Sequence, residues 1–170
     1  QLAGVTTATD LVSDLTQAGL ETLHQVTADP HYPMRVVPAF APQRNPDGGA
    51  ARVLQAIGDQ TDKLRFGPVK FIVDGSIQGF TARLREPGYV GGQPNGLWLI
   101  PPSQLQELFT PFHTAGLQLH IHTNGDEATQ VVLDVIEKML AAHPRDDHRH
   151  TLQHCQLADR AQLERAAKLG

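Results

Sequence analysis

The sequence predicts an α/β fold, a parallel sheet with covering helices. Two patterns predict it. Short apolar runs alternate with helical stretches about five times along the 170 residues, the spacing expected of a parallel sheet. Three of the apolar runs also end in polar groups. The run from 117 to 126 places Leu117, Leu119 and Ile121 ahead of His122, Asn124 and Asp126. The run from 151 ends at His154, and the run from 69 to 75 carries Lys70 inside an apolar stretch and ends at Asp74-Gly75. Strands that deliver imidazole, amide and carboxylate groups to their carboxyl ends are how α/β folds assemble sites.

The elements follow in order. Residues 4–10 read as a short β-rich segment. Residues 11–28 have helical leucine spacing (Leu11, Leu15, Leu20, Leu23), broken near Gly19. Pro30 and Pro33 punctuate a loop before a buried strand at 34–40, and residues 42–49 form a turn-rich connection. A helix over 50–60 presents Val53, Leu54 and Ile57 on one face. After the strand at 69–73 comes a long glycine-rich connection, 75–96, holding Tyr89, Gly91 and Gly92. Connections of this length are usually functional or mobile, and this one could close over a site and exclude water. Ser103 reads as an N-cap with Gln106 as its capping-box partner, opening a helix to Ala115 that Gly116 stops. A strand at 117–122, an amphipathic helix at 127–142, a strand at 150–155 and a helix at 159–169 complete a single domain over 1–170.

Composition narrows the function classes. Hydrophobic residues make up 40% and charged residues 19%, and the formal charge is −4, so nucleic acid binding has no electrostatic support. No run reaches the roughly 20 apolar residues of a membrane helix, so no membrane partner is expected. No Gly-x-Gly-x-x-Gly or Walker pattern appears, which argues against a nucleotide-binding domain. The start lacks the features of a signal peptide and an initiator Met, so a piece of a longer chain is expected. Cys155 is the only cysteine; an internal disulfide is excluded and a reducing cytoplasmic location is favoured.

Each candidate residue has a chemical reason and an ordinary alternative. Lysine is rarely buried without a partner. Desolvated, Lys70 can hold a neutral amine able to react with CO2 to a carbamate, an anionic oxygen ligand; otherwise its ammonium snorkels to solvent. His122 and His154, at the ends of two strands, offer the neutral nitrogens that suit Zn²⁺. His120 faces the same way as His122 and is read as packing. Asn124, Asp126 and Asp74 lie where a substrate would sit. Asp126 is equally suited to cap the following helix or to orient a ligand histidine, and Asp74 to a turn before Gly75. Trp98 reads as packing. His143, His148 and His150 read as a solvated loop, and Cys155 as a buried, inert thiol.

Three stretches together resemble the amidohydrolase superfamily, specifically amidohydrolase family 3, the YtcJ-like metal-dependent hydrolases. They are the run from Val69 through Lys70, Asp74 and Gly75 to Ser76; the run His122-Thr-Asn-Gly-Asp-Glu-Ala128; and the run Arg149-His-Thr-Leu-Gln-His-Cys-Gln156. Gly4-Val5-Thr6-Thr7 is a fourth, weaker match. The resemblance implies a partial (β/α)8 (TIM-type) barrel of about five parallel strands with intervening helices, running from the second βα unit to the sixth. It implies that Lys70, His122 and His154 occupy metal-ligand positions, with the lysine carboxylated and bridging two ions. The family's His-x-His on its first strand has no counterpart; His120-Ile-His122 has that spacing on a later strand. The aspartate of the family's last strand has none either, and Gln153 stands where many relatives have Glu.

The resemblance therefore implies part of a hydrolase of amide or other C–N bonds. Its cofactor would be a divalent metal, zinc before iron or manganese, and its partner a small amide-type molecule. Asn124, Asp126 and Asp74 would bind substrate, and the 170-residue chain alone is expected to be inactive. The alternative is a non-catalytic metal- or ligand-binding α/β module that forms a homo-oligomer through its exposed sheet edges.

Overall fold

The computed structural model describes residues 4–170. The reading of the chain start falls partly on residues 1–3, outside the described residues. Ten elements alternate: β1 (Thr7–Ser13), α1 (Gln17–Ala28), β2 (Arg35–Phe40), α2 (Gly49–Gly58), β3 (Pro68–Ile72), α3 (Pro102–Thr114), β4 (Gln118–Thr123), α4 (Asp126–Ala142), β5 (Thr151–His154) and α5 (Arg160–Leu169). Strand order in the sheet follows chain order, and the pairs β1/β2, β2/β3 and β4/β5 are parallel. This is the α/β fold of a partial (β/α)8 barrel that the alternation and the resemblance predict. The chain forms two compact units, residues 1–70 and 71–170.

In the first unit β2 pairs with β1 from Thr7↔Arg35 to Ser13↔Phe40. Its core holds Ala39, Phe40, Val53, Ala56, Leu64 and Val69, all at or near zero exposure. The predicted first helix is shorter than its leucine spacing suggests, because Leu11 belongs to β1. Thr16 supplies the boundary: its Oγ1 accepts the Gly19 N–H at 3.2 Å, which caps α1. Gly19, expected to break the helix, lies inside it.

In the second unit Phe71 packs against Phe109 and Phe112 of α3, with ring centroids 4.7 and 5.7 Å away. Leu119 and Ile121 of β4 and Val132, Leu133, Ile136 and Met139 of α4 are buried. Strand β4 alternates strictly: Leu119, Ile121 and Thr123 are buried, while Gln118, His120 and His122 are half-buried on the opposite face. The predicted capping box at Ser103 is not formed. Helix α3 starts at Pro102, with Pro101 in the cap position and no side-chain cap; proline at the first turn lacks the N–H that a cap would satisfy. Gly116 ends the helix as predicted, at φ +81°.

The 75–96 connection contains no helix or strand, yet it is stitched together. Tyr89 Oη donates to the Ala82 carbonyl at 3.0 Å. Asn95 accepts the Leu84 N–H at 2.9 Å and donates back to the Leu84 carbonyl at 2.6 Å. The Arg83 guanidinium lies 2.8 Å from Glu127 and 5.1 Å from the Trp98 ring.

Of the three histidines expected in a solvated loop, His143 is exposed as expected, but His148 is buried (3% exposed) and His150 is half-buried. His113 of α3, 2% exposed, joins them. His113 Nε2 donates to the His143 carbonyl at 2.8 Å. Its Nδ1 lies 2.9 Å from His150 Nε2, and His150 Nδ1 accepts the Leu119 N–H at 3.1 Å. His148 Nε2 donates to the Leu169 carbonyl, and its Nδ1 accepts the His150 N–H at 2.9 Å. A carbonyl only accepts and an N–H only donates, so each ring has one assignable tautomer and all three are neutral. Burial lowers the pKa of His113 and pushes that of His150 down to about 3. Proline and charged neighbours suggested a surface loop; the pairing of these rings with α3, β4 and α5 is a tertiary fact that local composition does not carry.

Candidate functional site

Strands β4 and β5 pair with His122 opposite Gln153 and Thr123 opposite His154, so two histidines meet at the carboxyl ends of neighbouring strands. Their rings contact edge-to-face with centroids 4.6 Å apart. His154 is exposed and sits at φ +74°, followed by Cys155 at +48°. Left-handed backbone is costly for residues with a Cβ and concentrates at functional sites. The Cys155 thiol is half-buried, 3.7 Å from Thr123 Oγ1, and burial pushes its pKa up, which agrees with an inert thiol.

His122 is set from the segment after β3. Its Nε2 lies 2.8 Å from the Gly75 carbonyl. The carbonyl can only accept, so Nε2 carries the proton and Nδ1 keeps its lone pair. Nδ1 has no hydrogen bond among the described residues. A half-buried imidazole with an open nitrogen and its other nitrogen tied to a carbonyl is arranged as metal-ligating histidines commonly are.

The remaining predicted site residues fall around it. Asp74 is fully buried, its oxygens occupied by backbone N–H groups of Asn124, Gly125 and Arg83. Asn124 is buried and donates through Nδ2 to the Gly75 carbonyl at 2.7 Å. Asp126 is the first residue of α4, with Gly125 as the N-cap; its carboxylate accepts the Arg85 N–H at 3.0 Å and lies 3.5 Å from Arg85 Nε. His120 Nδ1 lies 3.1 Å from Gln153 Nε2. Lys70 lies on β3 in the first unit, 3% exposed, and desolvation lowers its pKa to about 8. The structure thus brings His122, His154, Asn124 and Asp74 together in the second unit. The Gly75 carbonyl and the Arg83 backbone were not legible in the sequence, because main-chain groups leave no letter.

No group of three or more His, Cys, Asp or Glu side chains among the described residues is placed to hold a metal ion. The two strand-end imidazoles, one with an open nitrogen, nevertheless fit a metal as part of a ligand set. A catalytic zinc site takes three protein ligands, so further donors are required.

The amidohydrolase family model matches residues 2–170, and the chain belongs to that family. It is 34% identical over 117 residues to YtcJ of Bacillus subtilis (strain 168), whose name assigns it as an amidohydrolase. That match covers 65% of this chain and 21% of YtcJ. It is also 34% identical over 94 residues to the protein LONG AFTER FAR-RED 3 of Arabidopsis thaliana, covering 55% of this chain and 16% of that one. The chain therefore aligns with only about a fifth of one curated relative and a sixth of the other. Two crystal structures of uncharacterized metal-dependent hydrolases, from Pyrococcus horikoshii OT3 and Pyrococcus furiosus, each superpose with a TM-score of 0.70. Identities are 24% and 23%, over 96% of this chain and 31% and 32% of theirs. At that identity the likeness concerns the fold.

Proposed function

We propose that this chain contributes part of the metal site of a hydrolase that cleaves amide or other C–N bonds in small molecules. The observation that carries the reading is the His122–His154 pair at the ends of β4 and β5, with His122 Nδ1 open. Family membership and the metal-dependent hydrolases of the same fold support it. The metal is a divalent ion, zinc first, because a set of imidazole nitrogens suits it.

His122 and His154 supply nitrogen ligands, and Lys70, taken by itself, offers the chemistry of an oxygen-donor ligand. Its lowered pKa leaves a usable fraction of neutral amine near pH 8, and the amine nitrogen can add to CO2 with loss of a proton to give an oxygen-donor carbamate. A bound divalent ion supplies Lewis-acid polarisation of a carbonyl and acidifies water. The chain's own residues shape the surroundings: Asn124 and Asp126 flank the ligand histidine at the start of α4, where a substrate's polar groups would approach. The first-strand histidines and the last-strand aspartate of the family pattern have no counterpart in this chain, so the 170 residues alone have little or no activity.

No helix among the described residues is long and apolar enough to cross a membrane; the single cysteine is the ground for placing the protein in the cytoplasm. The competing reading is a metal-binding module without turnover that self-associates through its sheet edges. Metal titration by calorimetry, with activity against amide substrates measured in parallel, separates the readings. The proposal expects zinc binding that His122→Ala and His154→Ala each abolish, and activity only in a chain that supplies the missing ligands. Absence of metal binding even in such a longer chain contradicts it.

A further inference from the structure

Asp74 is a buried carboxylate at the junction of β4 and α4. Its Oδ1 accepts the Asn124 N–H at 2.9 Å, and its Oδ2 accepts the N–H groups of Gly125 and Arg83 at 2.8 and 3.0 Å. Gly125 is the N-cap of α4, so the charge also faces the positive end of that helix. Three donors and a helix terminus compensate a charge that burial alone would expel. The packing is close: a Cβ on Gly125 would lie 1.8 Å from the Arg83 carbonyl oxygen, so only glycine fits.

The clamp reaches the candidate ligand along the chain from both sides, and Asp74 Oδ1 also lies 3.5 Å from His122 Nε2. Asp74 precedes Gly75, and Asn124 follows His122 by two residues. Pinning the Asp74 carboxylate to the Asn124 and Gly125 backbone therefore holds the Gly75 carbonyl against His122 Nε2, at 2.8 Å. Asn124 Nδ2 donates to the same carbonyl at 2.7 Å. The amide keeps this orientation although its Oδ1, buried, has no hydrogen-bond partner among the described residues. Turning it over would set oxygen against oxygen. A buried acceptor left unpaired is unfavourable, and such groups are found where a local arrangement is fixed for another purpose.

We propose that Asp74 is a positioning residue that sets the tautomer of His122. It acts through the Gly75 carbonyl, 2.8 Å from Nε2, and through its own Oδ1, 3.5 Å from the same nitrogen; both only accept, so the proton stays on Nε2 and Nδ1 is left open. Its purpose rests on the metal-site reading above, but the tautomer can be read in the metal-free protein. Three further histidines, His113, His148 and His150, have fixed tautomers of their own and report whether the fold is intact.

The experiment is ¹⁵N NMR of the imidazole nitrogens in the metal-free chain at mildly alkaline pH. His122 is expected as the Nε2–H form. In Asp74→Asn one oxygen becomes an NH2 that confronts a backbone N–H, and His122 is expected to become a mixture of tautomers while the other three rings stay unchanged. Zinc affinity should fall about ten- to a hundredfold. A second variant, Asn124→Ala, keeps the backbone clamp, and His122 should remain the Nε2–H form. A wild-type His122 protonated on Nδ1 overturns the proposal, as does an unchanged tautomer in folded Asp74→Asn. Loss of the tautomer in Asn124→Ala overturns it too, by transferring the role to the amide. A fixed Nε2–H tautomer with no zinc binding in any chain would leave this inference standing and remove the metal-site reading.

Discussion

At the start of β4, the rings of His113, His148 and His150 commit every nitrogen to a hydrogen bond. At its end, His122 commits one nitrogen and leaves the other open. The two sites are only a few residues apart on one strand, ~10 Å at the usual rise per residue. The first cluster is a structural clasp. Its rings join α3, β4 and the end of α5, and a proton added to any of them would set N–H against N–H. The second is a site held ready for a ligand. Histidine type and burial alone do not separate the two; the count of satisfied nitrogens does.

The comparison breaks most visibly if the clasp is cut. His150→Ala removes the acceptor of the Leu119 N–H and the donor to His113 and leaves a void. Two buried groups lose their partners, so a loss of roughly 3–4 kcal/mol is expected from urea unfolding; a loss below 1 kcal/mol would show the clasp to be incidental. Acid should open it next. The folded ring is held neutral with a pKa of about 3, while the unfolded ring returns to ~6.5. Its contribution is therefore complete above pH ~6.5 and drains away as pH falls toward 3, by about 2–3 kcal/mol once partial solvent access is allowed for. His143, His148 and Arg145 face the same rings, and the Arg145 guanidinium opposes a second positive charge there. The decline between pH 6.5 and 4.5, above the main carboxylate range, should flatten in His150→Gln. An unflattened slope would assign the decline to other groups.

At the other end of the strand the expected pattern reverses. His122→Ala should change stability by about 1 kcal/mol or less, because one hydrogen bond to a carbonyl that keeps Asn124 as donor is lost, and yet abolish zinc binding in calorimetry. Equal stability losses for His122→Ala and His150→Ala would erase the distinction. The smallest effect belongs to the exposed Arg160–Glu164 pair on α5, 2.7 Å apart. Removing it with Glu164→Gln should cost no more than ~0.5 kcal/mol, and less in high salt.

Much of the fold was legible because its signals are local. The alternating apolar runs located all five strands, and the Asp159–Gln162 capping box opens α5 where the predicted helix begins. Leu11 misled because a strand residue happened to continue a helical leucine spacing. Ser103 misled because the prolines before it already fix the start of α3. The three-residue identity of the candidate site came from the resemblance, and within it the pairing of His122 with His154 follows from β4–β5 register. The clasp of His113, His148 and His150 was missed. Its partners lie up to 37 residues apart, and the Asp74 clamp binds main-chain N–H groups that no motif encodes.

The most direct test of the contrast is zinc titration of the metal-free chain followed by ¹⁵N NMR of all nine histidines. The account predicts that His122 Nδ1 and the His154 ring respond together while His113, His148 and His150 stay unmoved. Zinc-dependent shifts confined to the clasp, or His122 and His154 both silent at saturating metal, would contradict it.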